Sequence, residues 1–63
     1  MKVSLISTVF NERHTVGPWL ESIRRQSRVP DEIVIVDGGS SDGTWEFLQE
    51  TAAKDPLLSV YRD

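Results

Sequence analysis

The sequence contains no cysteine, which excludes a disulfide framework or a thiolate-ligated metal as a means of stabilising so short a chain. Its one histidine, His14, has no partner at metal or catalytic spacing and reads as a solvated imidazole. Long hydrophobic runs are also missing. Nothing approaches the roughly 20 apolar residues of a membrane-spanning helix, and Val3-Ser4-Leu5-Ile6 meets polar Ser7 and Thr8 too soon for a secretory signal. A basic stripe is absent: the formal net charge is -3, and Arg24, Arg25 and Arg28 gather at one solvated helix end, so nucleic acid is not an expected partner. These absences together fit a reducing, cytoplasmic setting.

What remains is an ordinary globular composition, with 38% hydrophobic and 27% charged residues, enough apolar surface to order the chain. A domain of 63 residues buries only about 60% of its unfolded surface. One compact unit is therefore the upper limit, and a self-sufficient catalytic core is not expected.

Val3 to Phe10 is apolar and β-branched without strict alternation, which predicts a first strand with both faces buried. Val16, Leu20, Ile23 and Ser27 then recur at helical spacing with Trp19 beside them. Thr15 as N-cap would place Pro18 in the first turn, where its missing N–H costs no hydrogen bond. Arg28-Val29-Pro30-Asp31 closes that helix, because the residue before a proline is pushed out of the α region. Ile33-Val34-Ile35-Val36 is a continuous β-branched run ending at Asp37 and predicts a second strand. After the polar segment 37–43, Trp45, Leu48 and Ala52 mark a second helix, with Ser41 or Asp42 as its cap. Asp55-Pro56 ends it, and Leu57 to Tyr61 predicts a third strand. Trp19 and Trp45 fall on the helical stripes and read as packing residues. The order is a βαβαβ unit of the α/β class, Rossmann-like, with parallel strands joined by right-handed crossovers.

In such a sheet ligands bind beyond the carboxyl ends of the strands, here at residues 7–12 and 37–43. Asp37 at the end of an apolar strand is a rigidly placed acceptor for a ligand N–H. Gly38 and Gly39 allow close approach to the main chain, and the N–H groups of Gly43 and Thr44 at the next helix start are expected to be free for a diphosphate or ribose. The same composition also suits a plain capped turn, and Asn11 and Glu12 equally suit polar residues leading into a helix. Three familiar motifs fail. Gly38-Gly39 lacks the dinucleotide spacing, no lysine follows Gly43 as a P-loop requires, and Gly39 and Ser41 stand where a calcium loop carries oxygen-rich side chains.

With both loops placed, Val3-Ser4-Leu5-Ile6-Ser7-Thr8-Val9-Phe10-Asn11-Glu12 resembles the opening strand and Asn-Glu turn of glycosyltransferase family 2, the inverting enzymes of the GT-A fold. Residues 31–44, Asp-Glu-Ile-Val-Ile-Val-Asp-Gly-Gly-Ser-Ser-Asp-Gly-Thr, resemble that family's second strand and its Asp-Gly-Ser-Thr-Asp-Gly-Thr loop. Thr8 and Val9 stand where the family often has Pro followed by Thr or Val, and Gly38 replaces a frequent second Asp.

The resemblance implies that residues 1–63 are the N-terminal part of one glycosyltransferase domain, holding the nucleotide of a nucleotide-diphosphate sugar. Val9, Asn11, Glu12, Asp37, Gly38 and Gly39 would form that site, with Asp37 on the base. The family's Asp-x-Asp element and catalytic base match nothing here, so no catalytic or metal-binding residue is expected. The divalent cation, magnesium or manganese, would belong to the complete enzyme. The remainder of the domain, or self-association, would cover the exposed sheet. Two rival readings are a small non-catalytic nucleotide-binding or interaction module, and a nucleotidyltransferase-like domain. The second lacks its basic Gly-rich loop after the first strand, where this chain has Asn11-Glu12-Arg13.

Overall fold

The structure, a computed structural model, describes residues 2–63. Its elements follow the order β1 (Ser4–Val9), α1 (Arg13–Arg24), β2 (Glu32–Asp37), α2 (Thr44–Lys54), β3 (Leu58–Arg62). The three strands form one parallel sheet in the order β1-β2-β3, the expected Rossmann-like βαβαβ unit. β2 is central, paired in parallel to β1 on one side and β3 on the other, and the helices supply the crossovers that parallel pairing requires.

Strand alternation divides the sheet into two faces. In register, Leu5, Ile33 and Leu58 form one row, and Ser7, Ile35 and Val60 the next. These rows meet Val16, Leu20 and Ile23 of α1 and Leu48 of α2 in a single core. Ile35 and Leu48 are fully buried. The opposite face carries Ile6 beside Val34, and Val36 beside Tyr61, with nothing packed on it among the described residues. Ile6 is 69% exposed there. The expectation that both faces of the first strand are buried is therefore corrected. A continuous apolar run shows that a strand is suited to burial on both faces, and here only the helix-side cover is present.

The first helix also starts earlier than expected. Glu12, not Thr15, is its N-cap position, and Pro18 lies inside the helix rather than in the first turn. The cause is tertiary: the N–H groups of Glu12 and Arg13 are satisfied by the side chains of Thr44 and Asp42, so no local cap is required. The helix ends at Arg24, short of Ser27. Arg24 is not simply solvated, since it forms an ion pair with Asp55 that ties the end of α1 to the end of α2. Trp19 packs against the core as expected, and Trp45 is half-buried beneath the Arg62 guanidinium, 5.8 Å from its ring centre. His14 is exposed. No helix among the described residues is long and apolar enough to cross a membrane.

Candidate functional site

The carboxyl ends of β1 and β2 lie side by side, with Val9 paired to Asp37, so the segments 10–12 and 38–43 leave the sheet as neighbours. They are joined by hydrogen bonds running both ways. The Asn11 N–H donates to Ser40 Oγ at 2.8 Å, the Glu12 N–H to Thr44 Oγ1 at 3.0 Å and the Arg13 N–H to Asp42 Oδ2 at 3.1 Å. In return the Ser41 N–H donates to Asn11 Oδ1 at 2.8 Å, and the Gly38 N–H to the Val9 carbonyl at 2.9 Å. Asn11 takes a left-handed backbone, φ 51°, a region that asparagine tolerates better than most residues.

Two carboxylates anchor this lattice in the same way. Asp37 Oδ1 accepts from the Gly39 N–H at 3.1 Å, the Ser40 N–H at 2.9 Å and the Ser40 hydroxyl at 2.6 Å. Asp42 Oδ1 accepts from the Thr44 N–H and from the Thr44 hydroxyl. Each hydroxyl gives its proton to a carboxylate and takes an N–H from the segment after β1, so Ser40 and Thr44 relay one loop to the other. Both are buried. Neither hydroxyl was predicted from the sequence, which pointed at Thr44 only for its N–H. The signal was the spacing Asp-x-x-Ser and Asp-x-Thr, which suits local side-chain to backbone bonding.

The Asp42 carboxyl is held below its ordinary value of 3.8, first by the Thr44 hydroxyl and then, against desolvation, by the N–H groups of Arg13 and Thr44. The cap position of α2 is Gly43, in a left-handed conformation, and not Ser41 or Asp42 as expected, although Asp42 Oδ1 does accept from the Thr44 N–H. The expectation of a free Thr44 N–H is corrected, because Asp42 has taken it.

The six predicted residues separate into two ranks. Val9, Glu12 and Gly38 line a recess of about 430 Å³ together with Thr8, Phe10, Val36 and Asp63. A second recess of about 220 Å³, between β1 and α1, shares Thr8, Val9 and Glu12 and adds Ser7, Thr15, Val16 and Trp19. Asn11, Asp37 and Gly39 line neither. Asp37 is fully buried, and its Oδ2 has no hydrogen-bond partner. Gly39, at φ 96°, makes the turn that brings its own N–H and that of Ser40 onto Asp37. β3 closes the rim: the Asp63 N–H donates to the Asp37 carbonyl at 2.8 Å and Arg62 Nη2 to the Ser40 carbonyl at 3.1 Å.

A divalent cation would find no assembled ligand set here. Asp42 spends both oxygens on the loops, Asp37 spends Oδ1 and keeps Oδ2 buried, and Glu12 Oε2 accepts from the Thr15 hydroxyl. Among the described residues no three His, Cys, Asp or Glu side chains converge.

Comparison with known proteins agrees with this geometry. The sequence pattern of glycosyl transferase family 2 matches residues 4–63. The chain is 38% identical over 63 residues to a dolichol-phosphate mannosyltransferase of Pyrococcus furiosus, covering 98% of this chain and 18% of that protein. It is 33% identical over 61 residues to a prophage bactoprenol glucosyl transferase homolog of Escherichia coli, covering 92% and 20%. A cholesterol galactosyltransferase of Borreliella burgdorferi is 30% identical over 60 residues, covering 95% and 17%. The chain thus spans about a fifth of the length of the relatives it matches. Two stitched loops on adjacent parallel strand ends, with the family pattern running through both, place the chain in glycosyl transferase family 2.

Proposed function

We propose that the chain is the N-terminal part of a single transferase domain and holds the nucleotide of a nucleotide-diphosphate sugar whose sugar passes to an acceptor hydroxyl. The observation that carries this is the recess at the carboxyl ends of β1 and β2, walled by Val9, Glu12 and Gly38, where open α/β sheets bind their ligands. Gly38 presents main chain without a side chain, and Val9 offers an apolar wall for a base.

In this reading the acceptor oxygen attacks the anomeric carbon in line as the bond to the diphosphate breaks. The acceptor proton goes to a carboxylate outside these residues, and configuration at the anomeric carbon inverts. A magnesium or manganese ion bound by residues outside this chain would supply charge compensation for the leaving diphosphate. This chain contributes position and not chemistry, so it is inactive alone. The relatives are named for mannosyl, glucosyl and galactosyl transfer, so family membership leaves the sugar open. The bare sheet face packs against the remainder of the domain or a second copy, as parallel sheets are covered on both sides. We place the complete protein in the cytoplasm or at the cytoplasmic face of a membrane.

The test is a titration of the isotope-labelled chain with uridine and guanosine diphosphates, following backbone amides by NMR. Shifts centred on Val9, Glu12 and Gly38 are expected. Shifts elsewhere, or none with either nucleotide, would contradict the reading and favour a module of another kind.

A further inference from the structure

Asp37 is the residue that a strand-end reading puts on the nucleotide, and the structure gives it different work. It shares the alternation of Ile33 and Ile35, so its side chain leaves β2 on the helix-covered face. It is 0% exposed and borders neither recess. Its Oδ1 already takes three donors, all from Gly39 and Ser40. For a base to reach Oδ2, the loop that Oδ1 holds would have to part. Gly38, the next residue, lies on the recess wall, and Ser40, held by Asp37, in turn holds the Asn11 N–H.

From this geometry we infer that Asp37 is a positioning residue of the donor site. It fixes the path of residues 38–40 and, through Ser40, the Asn11 turn, so that Gly38, Val9 and Glu12 face the recess without any contact between Asp37 and the nucleotide. The inference rests on the donor-site reading above and deepens it.

The two roles differ in what an asparagine can do. In Asp37→Asn the side-chain carbonyl still accepts from residues 39 and 40, and the amide nitrogen falls where Oδ2 has no partner. If Asp37 positions, Asp37→Ala weakens uridine and guanosine diphosphate alike, by about tenfold for the lost buried hydrogen bonds, and Asp37→Asn restores most of that loss. If Asp37 touches a base N–H, the asparagine presents a donor to a donor. Asp37→Asn then fails as Asp37→Ala does, and fails unequally for the two bases.

Amide hydrogen exchange of Gly39 and Ser40, measured without nucleotide, gives a ligand-independent reading. Protection is expected in wild type and Asp37→Asn and lost in Asp37→Ala. Should Asp37→Ala not fold, the asparagine variant still decides, since near-wild-type affinity supports positioning and a base-selective loss overturns it. Fast exchange at Gly39 and Ser40 in the wild type would overturn the inference while leaving the donor-site reading intact. Binding of neither nucleotide by the wild type would instead remove the donor-site reading, and this inference with it, even where exchange shows the loop held.

Discussion

The two faces of the sheet are built from similar residues and end in opposite states. On the helix side, Ile33, Ile35 and Leu58 are buried against α1 and α2. On the other side, Ile6 and Tyr61 are mostly exposed, and Phe10 beyond the end of β1 is exposed with them. The carboxyl-edge loops resemble the covered face: the N–H groups of residues 11, 12 and 13 each have a side-chain acceptor. The described residues thus satisfy the carboxyl edge and one layer of the core, and leave the other face of the sheet open. Both completed parts join segments distant in sequence, and the edge hydrogen bonds span 29 to 32 residues.

The sharpest way to break that comparison is to truncate one isoleucine on each face. Ile35→Ala, on the covered face, is expected to cost about 2–5 kcal/mol through lost burial and the cavity left behind, enough to unfold a domain of this size. Ile6→Ala, on the open face, is expected to stay within about 0.5 kcal/mol. Denaturant titration of the two variants measures the gap, and equal losses would mean that the open face is covered in solution.

A smaller effect is expected at the edge. Gly39→Ala puts a Cβ on a residue with φ 96°, a conformation that costs an L-residue about 1–2 kcal/mol. It should loosen the Ser40 amide before it unfolds the core. Exchange rates that rise throughout the chain would show that the loop and the core are one unit.

The smallest effect concerns acid. Asp42 titrates below its unfolded value of 3.8 because the Thr44 hydroxyl bonds its ionised form. The stability this gives is present above the unfolded value and is lost as pH falls through the folded one. Thr44→Val should move the Asp42 midpoint up toward 3.8 and free the Glu12 amide to exchange. An unmoved midpoint, read by carboxyl NMR, would remove Thr44 as the cause.

Much of the fold was legible because its signals are local. Four β-branched residues from Ile33 to Val36, a proline after each helix and a polar loop between strand and helix require little tertiary context. The start of α1 was not legible, because its caps come from Asp42 and Thr44, far along the chain. Thr15 was the best local candidate and was not needed. The loops of the candidate site were legible as positions on strand ends, yet the direction of Asp37 was missed. Alternation with Ile33 and Ile35 already carried that information. A carboxylate two residues beyond a core isoleucine shares its face, and here that face lies under helices. The hydroxyls of Ser40 and Thr44 escaped notice because a hydroxyl in or beside a polar loop looks like solvent-facing filler until its acceptor is known.

The recess beside Gly38 is the centre of the account, and Gly38 offers a direct way to close it. A Cβ there would meet the Val9 carbonyl oxygen at 3.6 Å and Phe10 Cδ1 at 3.8 Å, ordinary contacts, and Gly38 is not among the residues with positive φ. Gly38→Leu should therefore fold with a near-wild-type thermal midpoint while its side chain obstructs the recess wall at residue 38. The decisive measurement is nucleotide binding by this variant, with uridine and guanosine diphosphates added to the folded chain. Loss of binding in a folded protein is predicted, and binding at wild-type strength would contradict the placement of the nucleotide against Val9, Glu12 and Gly38.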